Sequence, residues 1–198
     1  MKLISLLEKL EYTCLQGSTD QEVKNVVYDS RKVEEGSLFI CIRGAVVDGH
    51  KFVSDVIEKG AKVLVVEENV QAPENVTVIL VKDTRYAMAF ISAAYFGYPA
   101  EQLKTIGITG TKGKTTTTYM VKSILENAGY KVGLIGTIEA IIGEEVIPAA
   151  NTTPESYVVQ EYFRKMVDAG CDCVVMEVSS QGLMLHRTQG FVFDYGIF

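Results

Sequence analysis

The sequence predicts an α/β protein. It should have a small N-terminal α/β domain, followed by a domain built on a parallel sheet. Three observations carry this. Residues 105–109 (TIGIT) are short, apolar and β-branched, and are followed by a glycine turn and then by helical spacing. Residues 172–178 (DCVVMEV) are apolar at successive positions, as a strand buried on both faces must be. Before residue 84, short apolar runs alternate with short helical patterns. A chain of 198 residues with 47% hydrophobic content can fill two such cores.

Leu3, Leu6, Leu7 and Leu10 are spaced as one helical stripe. Val23–Tyr28 reads as a strand ending in Asp29, Ser30 and Arg31, and Leu38–Ile42 as a buried strand after the turn at Gly36. Phe52–Lys59 reads as a helix stopped by Gly60. Strands are expected at Lys62–Val66 and Val76–Val81, and a helix at Arg85–Phe96, with Pro99 close behind it. The domain boundary is placed near Thr84, giving domains 1–83 and 84–198, with Pro99 as the alternative.

The central feature is Gly110, Thr111, Lys112, Gly113, Lys114, Thr115 and Thr116 (GTKGKTT), between the strand and a helix over Lys114–Ala128. Small residues let backbone amides close on an anion, and the helix N-terminus adds its positive dipole end. In such a loop Lys114 reaches the β- and γ-phosphates, and the Thr115 hydroxyl sits on magnesium. The spacing is not literal, because counting back from Gly113 puts Ile108 where the general pattern has its first glycine. The helix should bury Met120, Val121, Ile124, Leu125 and Ala128. A strand at Lys131–Ile135 and a hairpin around Gly143-Glu144 follow. In Asn151-Thr152-Thr153-Pro154-Glu155-Ser156, Thr153 is a good N-cap and Pro154 a good first residue for a helix running to Ala169.

Glu177 stands at the C-terminal end of the 172–178 strand. An acid there can help hold magnesium; the structural alternative is an ion pair with Lys or Arg. Arg187 could clamp a phosphate or make a surface ion pair. Ser30 and Arg31 could contact a phosphate or a base, or form a surface turn, and His50 reads as a turn residue. Phe193–Phe198 is a final strand pattern.

Composition narrows the function further. A net charge of −6 with scattered Lys and Arg argues against a nucleic-acid surface. The N-terminus carries Glu8 and Glu11 and lacks a cleavage site, and the longest apolar run, Ala87–Gly97, is too short to span a bilayer. A cytoplasmic protein without membrane insertion is expected. Cys14, Cys41, Cys171 and Cys173 lack the paired spacing of a zinc site and read as small buried thiols.

Together GTKGKTTTT, NTTPES, MEVSSQGLMLHR and the early DSR…GSLFICIRGAVVDGHKF resemble the Mur ligases along the whole chain. The loop is shared across that family and with folylpolyglutamate synthetases. TTPES and MEVSS…HR point to the member that lengthens UDP-MurNAc-L-Ala-D-Glu. The resemblance implies an ATP-dependent amide ligase of peptidoglycan precursor synthesis. It would activate the D-glutamate carboxylate as an acyl phosphate and join it to a diamino acid, meso-diaminopimelate or L-lysine. It implies ATP held by Gly110–Thr116, with Lys114 and Glu177 catalytic and Mg2+ on Thr115 and Glu177. It places UDP-MurNAc-dipeptide on Ser30, Asn151, Thr152, Thr153, Ser179 and Arg187, with the uridine end also near Tyr28 and Ala45–Val47. Leu185 stands where some relatives carry glutamine, and Gln181 where many carry histidine. The relatives are more than twice as long, so the central ATPase domain is expected to be cut short. The carbamylated lysine and the amino-acid-binding domain would then be missing, and the chain alone would be inactive with an open sheet edge. The alternatives are another Mur-type or folylpolyglutamate-type ligase, or a non-enzymatic nucleotide-binding module.

Overall fold

A computed structural model describes residues 1–44 and 47–198. The chain forms two compact units, Met1–Tyr95 and Phe96–Phe198. The first unit therefore keeps the helix that begins at Thr84, and the division falls at the end of that helix, after the boundary placed at Thr84. The helix is Ala-rich and buries Ala87, Met88, Ala89, Ile91, Ala93 and Ala94, which supplies the reason: its apolar surface is part of a core.

In the first unit a short helix, α1 (Leu3–Leu6), precedes β1 (Thr13–Gln16), β2 (Asn25–Val27) and β3 (Ser37–Ile40). Then come α2 (Val53–Glu58), β4 (Val63–Val66), β5 (Thr77–Leu80) and α3 (Thr84–Tyr95). The sheet order is β1-β5-β4-β3-β2, with β2 to β5 parallel and β1 antiparallel on β5. The expected leucine stripe is a single helical turn. Leu3, Leu6 and Leu7 are buried, and Leu10 is half-buried beyond the turn. Strand β1 went unread because three of its four residues are exposed, so it carries no alternation.

The second unit runs β6 (Lys104–Ile108), α4 (Lys114–Asn127), β7 (Val132–Ile135), β8 (Glu139–Ile142) and β9 (Glu145–Pro148). It continues with α5 (Ser156–Asp168), β10 (Cys173–Glu177), α6 (Ser180–Met184) and β11 (Tyr195–Ile197). The sheet order is β11-β6-β10-β7-β8-β9. Strands β11, β6, β10 and β7 are parallel, and the β8–β9 hairpin extends one edge antiparallel.

Central β10 shows why its sequence is apolar throughout. Val174 and Met176 pack in the cluster containing Phe163 and Met166 of α5. Cys173 and Val175 face the other side, where Val121 and Leu125 of α4 pack. Alternate side chains thus enter two different cores. Glu177 follows the parity of Cys173 and Val175. Helix α4 buries less than its spacing predicts. Met120 and Ile124 are 59% and 64% exposed, because only the Val121 and Leu125 side meets the sheet. Among the described residues no helix is long and apolar enough to cross a membrane.

Candidate functional site

The glycine loop lies between β6 and α4, at the C-terminal end of a parallel strand. Gly113 is the N-cap of α4, with φ +79, a conformation glycine adopts without penalty. No side chain caps the helix start, so its first amides stay available to an anion. Thr111, Lys112, Gly113 and Thr116 are exposed, and Gly110 is half-buried. Lys114 folds back, and its Nζ donates to the Gly110 carbonyl at 2.8 Å, across the mouth of the loop.

Glu177 is fully buried at the end of the neighbouring strand β10. The Thr115 hydroxyl donates to its Oε2 at 3.0 Å. A third residue that no motif had singled out completes the grip. The Thr137 amide donates to Oε1 at 2.9 Å, and its hydroxyl lies 3.0 Å from Oε2. Thr137 directly follows Gly136, where a Cβ would stand 2.6 Å from Oε1. The glycine therefore lets the chain pass close to the carboxylate. The described partners of this buried anion are neutral, not Lys or Arg. A buried carboxylate solvated only by amide and hydroxyl donors still favours a cation. Beside it, Tyr119 donates to Glu139 Oε1 at 2.7 Å. Burial first, then this bond and the charges of Glu139 and Glu177, push the phenol up to about 12.

A carboxylate and a hydroxyl beside a phosphate-type loop suit magnesium, which takes one or two protein ligands and keeps waters and phosphate oxygens for the rest. Among the described residues no three His, Cys, Asp or Glu converge as a metal site. The four cysteines are free, and Cys14 is exposed where a buried thiol was expected, because it lies on the exposed strand β1.

The Asn151–Thr153 segment reaches the same end of the sheet by two routes. Thr152 Oγ1 lies 3.1 Å from Thr137 Oγ1. Thr153 is buried, donating to the Glu177 carbonyl at 3.0 Å and accepting from the Ser179 amide at 2.9 Å. It is not an N-cap. Helix α5 starts at Ser156 with Glu155 as N-cap, since the Thr153 hydroxyl is already committed to β10. Asn151 is exposed. Ser179 caps α6, accepting from the Gly182 amide at 3.0 Å. Arg187 donates to the Thr153 carbonyl at 3.0 Å and to Glu155 Oε1 at 2.7 Å. Its side chain is 12% exposed and tied to the loop, not free on the surface.

In the first unit, Ser30 opens a 3₁₀ turn capped by Asp29, and its carbonyl accepts from Lys59 Nζ at 2.9 Å. Arg31 pairs bidentately with Asp29, which holds that carboxyl at about 2. His50 is structural. Its Nε2 accepts from the Glu67 amide at 3.0 Å, so Nδ1 carries the proton toward Asp48 at 2.6 Å. In the 45–47 loop, Ala45 and Val46 lie outside the described residues.

A glycine loop between strand and helix, with an acid ending the adjacent parallel strand, defines an α/β unit of the phosphate-binding-loop class. Family comparisons make this specific. Residues 108–198 match the Mur ligase middle domain, and residues 22–96 match the model described as Mur ligase family, catalytic domain. The chain belongs to the Mur ligase family. It is 52% identical over 198 residues to the UDP-N-acetylmuramoyl-L-alanyl-D-glutamate–2,6-diaminopimelate ligase of Clostridium perfringens (strain 13 / Type A), covering 100% of this chain and 41% of that protein. The ligase of the same name from Clostridium tetani is 49% identical, with the same coverage of each. The chain thus spans 41% of the length of these relatives. A solved structure of a ligase of that name matches with a TM-score of 0.77 over 99% of this chain and 39% of the other, and its 19% identity makes this a likeness of fold. A MurF structure from Acinetobacter baumannii matches with a TM-score of 0.59 and 26% identity, covering 90% and 36%.

Proposed function

We propose that this chain belongs to a cytoplasmic ATP-dependent amide ligase of peptidoglycan precursor synthesis. The enzyme extends UDP-MurNAc-L-Ala-D-Glu by a diamino acid, and the relatives' names favour 2,6-diaminopimelate over L-lysine. The observation that carries the reading is the Thr115 hydroxyl 3.0 Å from buried Glu177, beside an uncapped helix start.

ATP with Mg2+ supplies, when bound, the phosphoryl group that activates the acceptor carboxylate. The residues divide the remaining work. Amides of Gly110–Thr116 hold the phosphate oxygens. Lys114, whose ammonium now rests on the Gly110 carbonyl, would offset the charge of the bound phosphates. Thr115 and Glu177 hold the magnesium. Asn151 and Thr152 present the UDP-linked acid at the end of the sheet, while Thr153, Ser179 and Arg187 act by fixing that loop. Ser30 and its turn serve the uridine end.

The test is equilibrium binding of a fluorescent ATP analogue to this chain with and without Mg2+. Magnesium-dependent binding that falls at least tenfold in Lys114→Ala supports the reading. Binding that ignores both the metal and Lys114 rejects it. Preference for UDP-MurNAc-dipeptide over UDP-MurNAc-tripeptide or a folate separates this ligase from a MurF-type or folylpolyglutamate-type enzyme. Binding of nucleotide alone would leave a nucleotide-binding module.

A further inference from the structure

We propose that Thr137 is a positioning residue of this site: it sets both oxygens of Glu177 for the magnesium ion. The inference rests on Thr115 and Glu177 being the magnesium seat. Its basis is the geometry at the end of β7. One residue offers two donors to one carboxylate, the amide to Oε1 at 2.9 Å and the hydroxyl to Oε2 at 3.0 Å. Two donors from one backbone position fix both the plane and the rotation of the carboxylate.

Proton accounting gives the arrangement a direction. The Thr137 hydroxyl lies within bonding distance of Glu177 Oε2 at 3.0 Å and Thr152 Oγ1 at 3.1 Å, but has one proton. The carboxylate can only accept, so Thr137 donates to Glu177 and Thr152 donates to Thr137. The Thr115 hydroxyl also donates to Oε2. To ligate a cation, Thr115 turns a lone pair toward it, and its single proton can stay on Oε2. The Thr137 contacts need not change, because neither of its groups is called to the metal. With Oε1 held by the amide and Oε2 shared between two hydroxyls, they fix the carboxylate whether or not a cation is bound. Removing a hydrogen-bond partner of a ligating carboxylate costs about 10–100-fold in metal affinity.

The experiment titrates Mg2+ into this chain with the fluorescent ATP analogue as reporter. Thr137→Val keeps the amide and the shape but loses the hydroxyl. It should raise the magnesium half-saturation about tenfold, and Thr137→Ser should restore it to within about twofold of the parent. A magnesium midpoint unchanged in Thr137→Val overturns the proposal, as does a serine variant as poor as the valine one. A role in folding alone would lower the melting temperature without moving the midpoint, and that result also overturns it. If the valine variant does not fold, Thr137→Ala reads the same quantity. If the parent chain shows no magnesium-dependent binding, the magnesium seat itself fails, and this inference falls with it.

Discussion

The Thr153 hydroxyl donates to the Glu177 carbonyl at 3.0 Å and accepts the Ser179 amide at 2.9 Å. One buried hydroxyl therefore joins the loop before α5 to the end of β10 and the start of α6. Replacing it by valine preserves the shape and orphans a carbonyl and an amide, at a cost of about 1–3 kcal/mol. Thr153→Val should lower the urea midpoint with an unchanged m-value. A variant as stable as the parent would show that Thr153 is not a structural tie.

Glu177→Gln separates charge from packing. The amide keeps the carboxylate's shape, and the hydroxyls of Thr115 and Thr137 can rotate to accept its protons. Without ligand, the variant should be as stable as the parent or more so, since a buried charge is gone. Magnesium and nucleotide at about a hundred times Kd would stabilise the parent by ~2.7 kcal/mol. They should leave Glu177→Gln unshifted in a thermal melt, and an equal shift in both proteins would remove Glu177 from the magnesium site.

These two residues also mark what the sequence could convey. Glu177 was legible because a strand buried on both faces leaves an unbroken apolar run, and one acid at its end stands out. The placement of Lys114 and Thr115 at the start of α4 was legible because a glycine turn between an apolar strand and helical spacing marks where a helix begins. Thr137 was not. Its role depends on β7 lying beside β10 in the sheet, a pairing between segments some forty residues apart. Thr153 misled for a related reason. Its local preference for an N-cap lost to a tertiary bond with β10, and the helix began later. Arg187 could be read as a phosphate clamp or a surface pair; its partners, Thr153 and Glu155, come from a loop more than thirty residues earlier. Met120 and Ile124 had helical spacing, but one helix face meets the sheet over a narrower arc than the pattern suggested.

Tyr119 reports the negative field of the site. Its phenol is pushed up to about 12, by burial and by Glu139. The folded state therefore holds this proton more tightly than the unfolded chain. The resulting stabilisation is present below the ordinary phenol range near pH 10, and is lost as pH rises through about 12. Burial and the nearby Glu161 and Glu145 also raise the Tyr162 phenol, so ultraviolet titration should show late tyrosine ionisation that Tyr119→Phe diminishes by one phenol. Ionisation of every tyrosine near pH 10 would contradict the Tyr119–Glu139 contact.

Strand β11 forms one edge of the second sheet, and among the described residues it pairs with β6 alone. Tyr195 and Phe198 are exposed, Phe198 completely, and a small apolar hollow of about 200 Å³ lies between Phe193, Ile197, Phe198 and Leu183. An unpaired row of amides and carbonyls beside apolar side chains is a template for another strand. This chain should therefore self-associate as its concentration rises, with an apparent mass above 21.8 kDa in size-exclusion chromatography with light scattering. Ile197→Lys places a charge on that edge, where charge opposes strand addition, and should restore the monomer. A parent chain that stays monomeric at high concentration would mean that the edge is protected in solution. A lysine variant that still associates would place the contact elsewhere, away from β11.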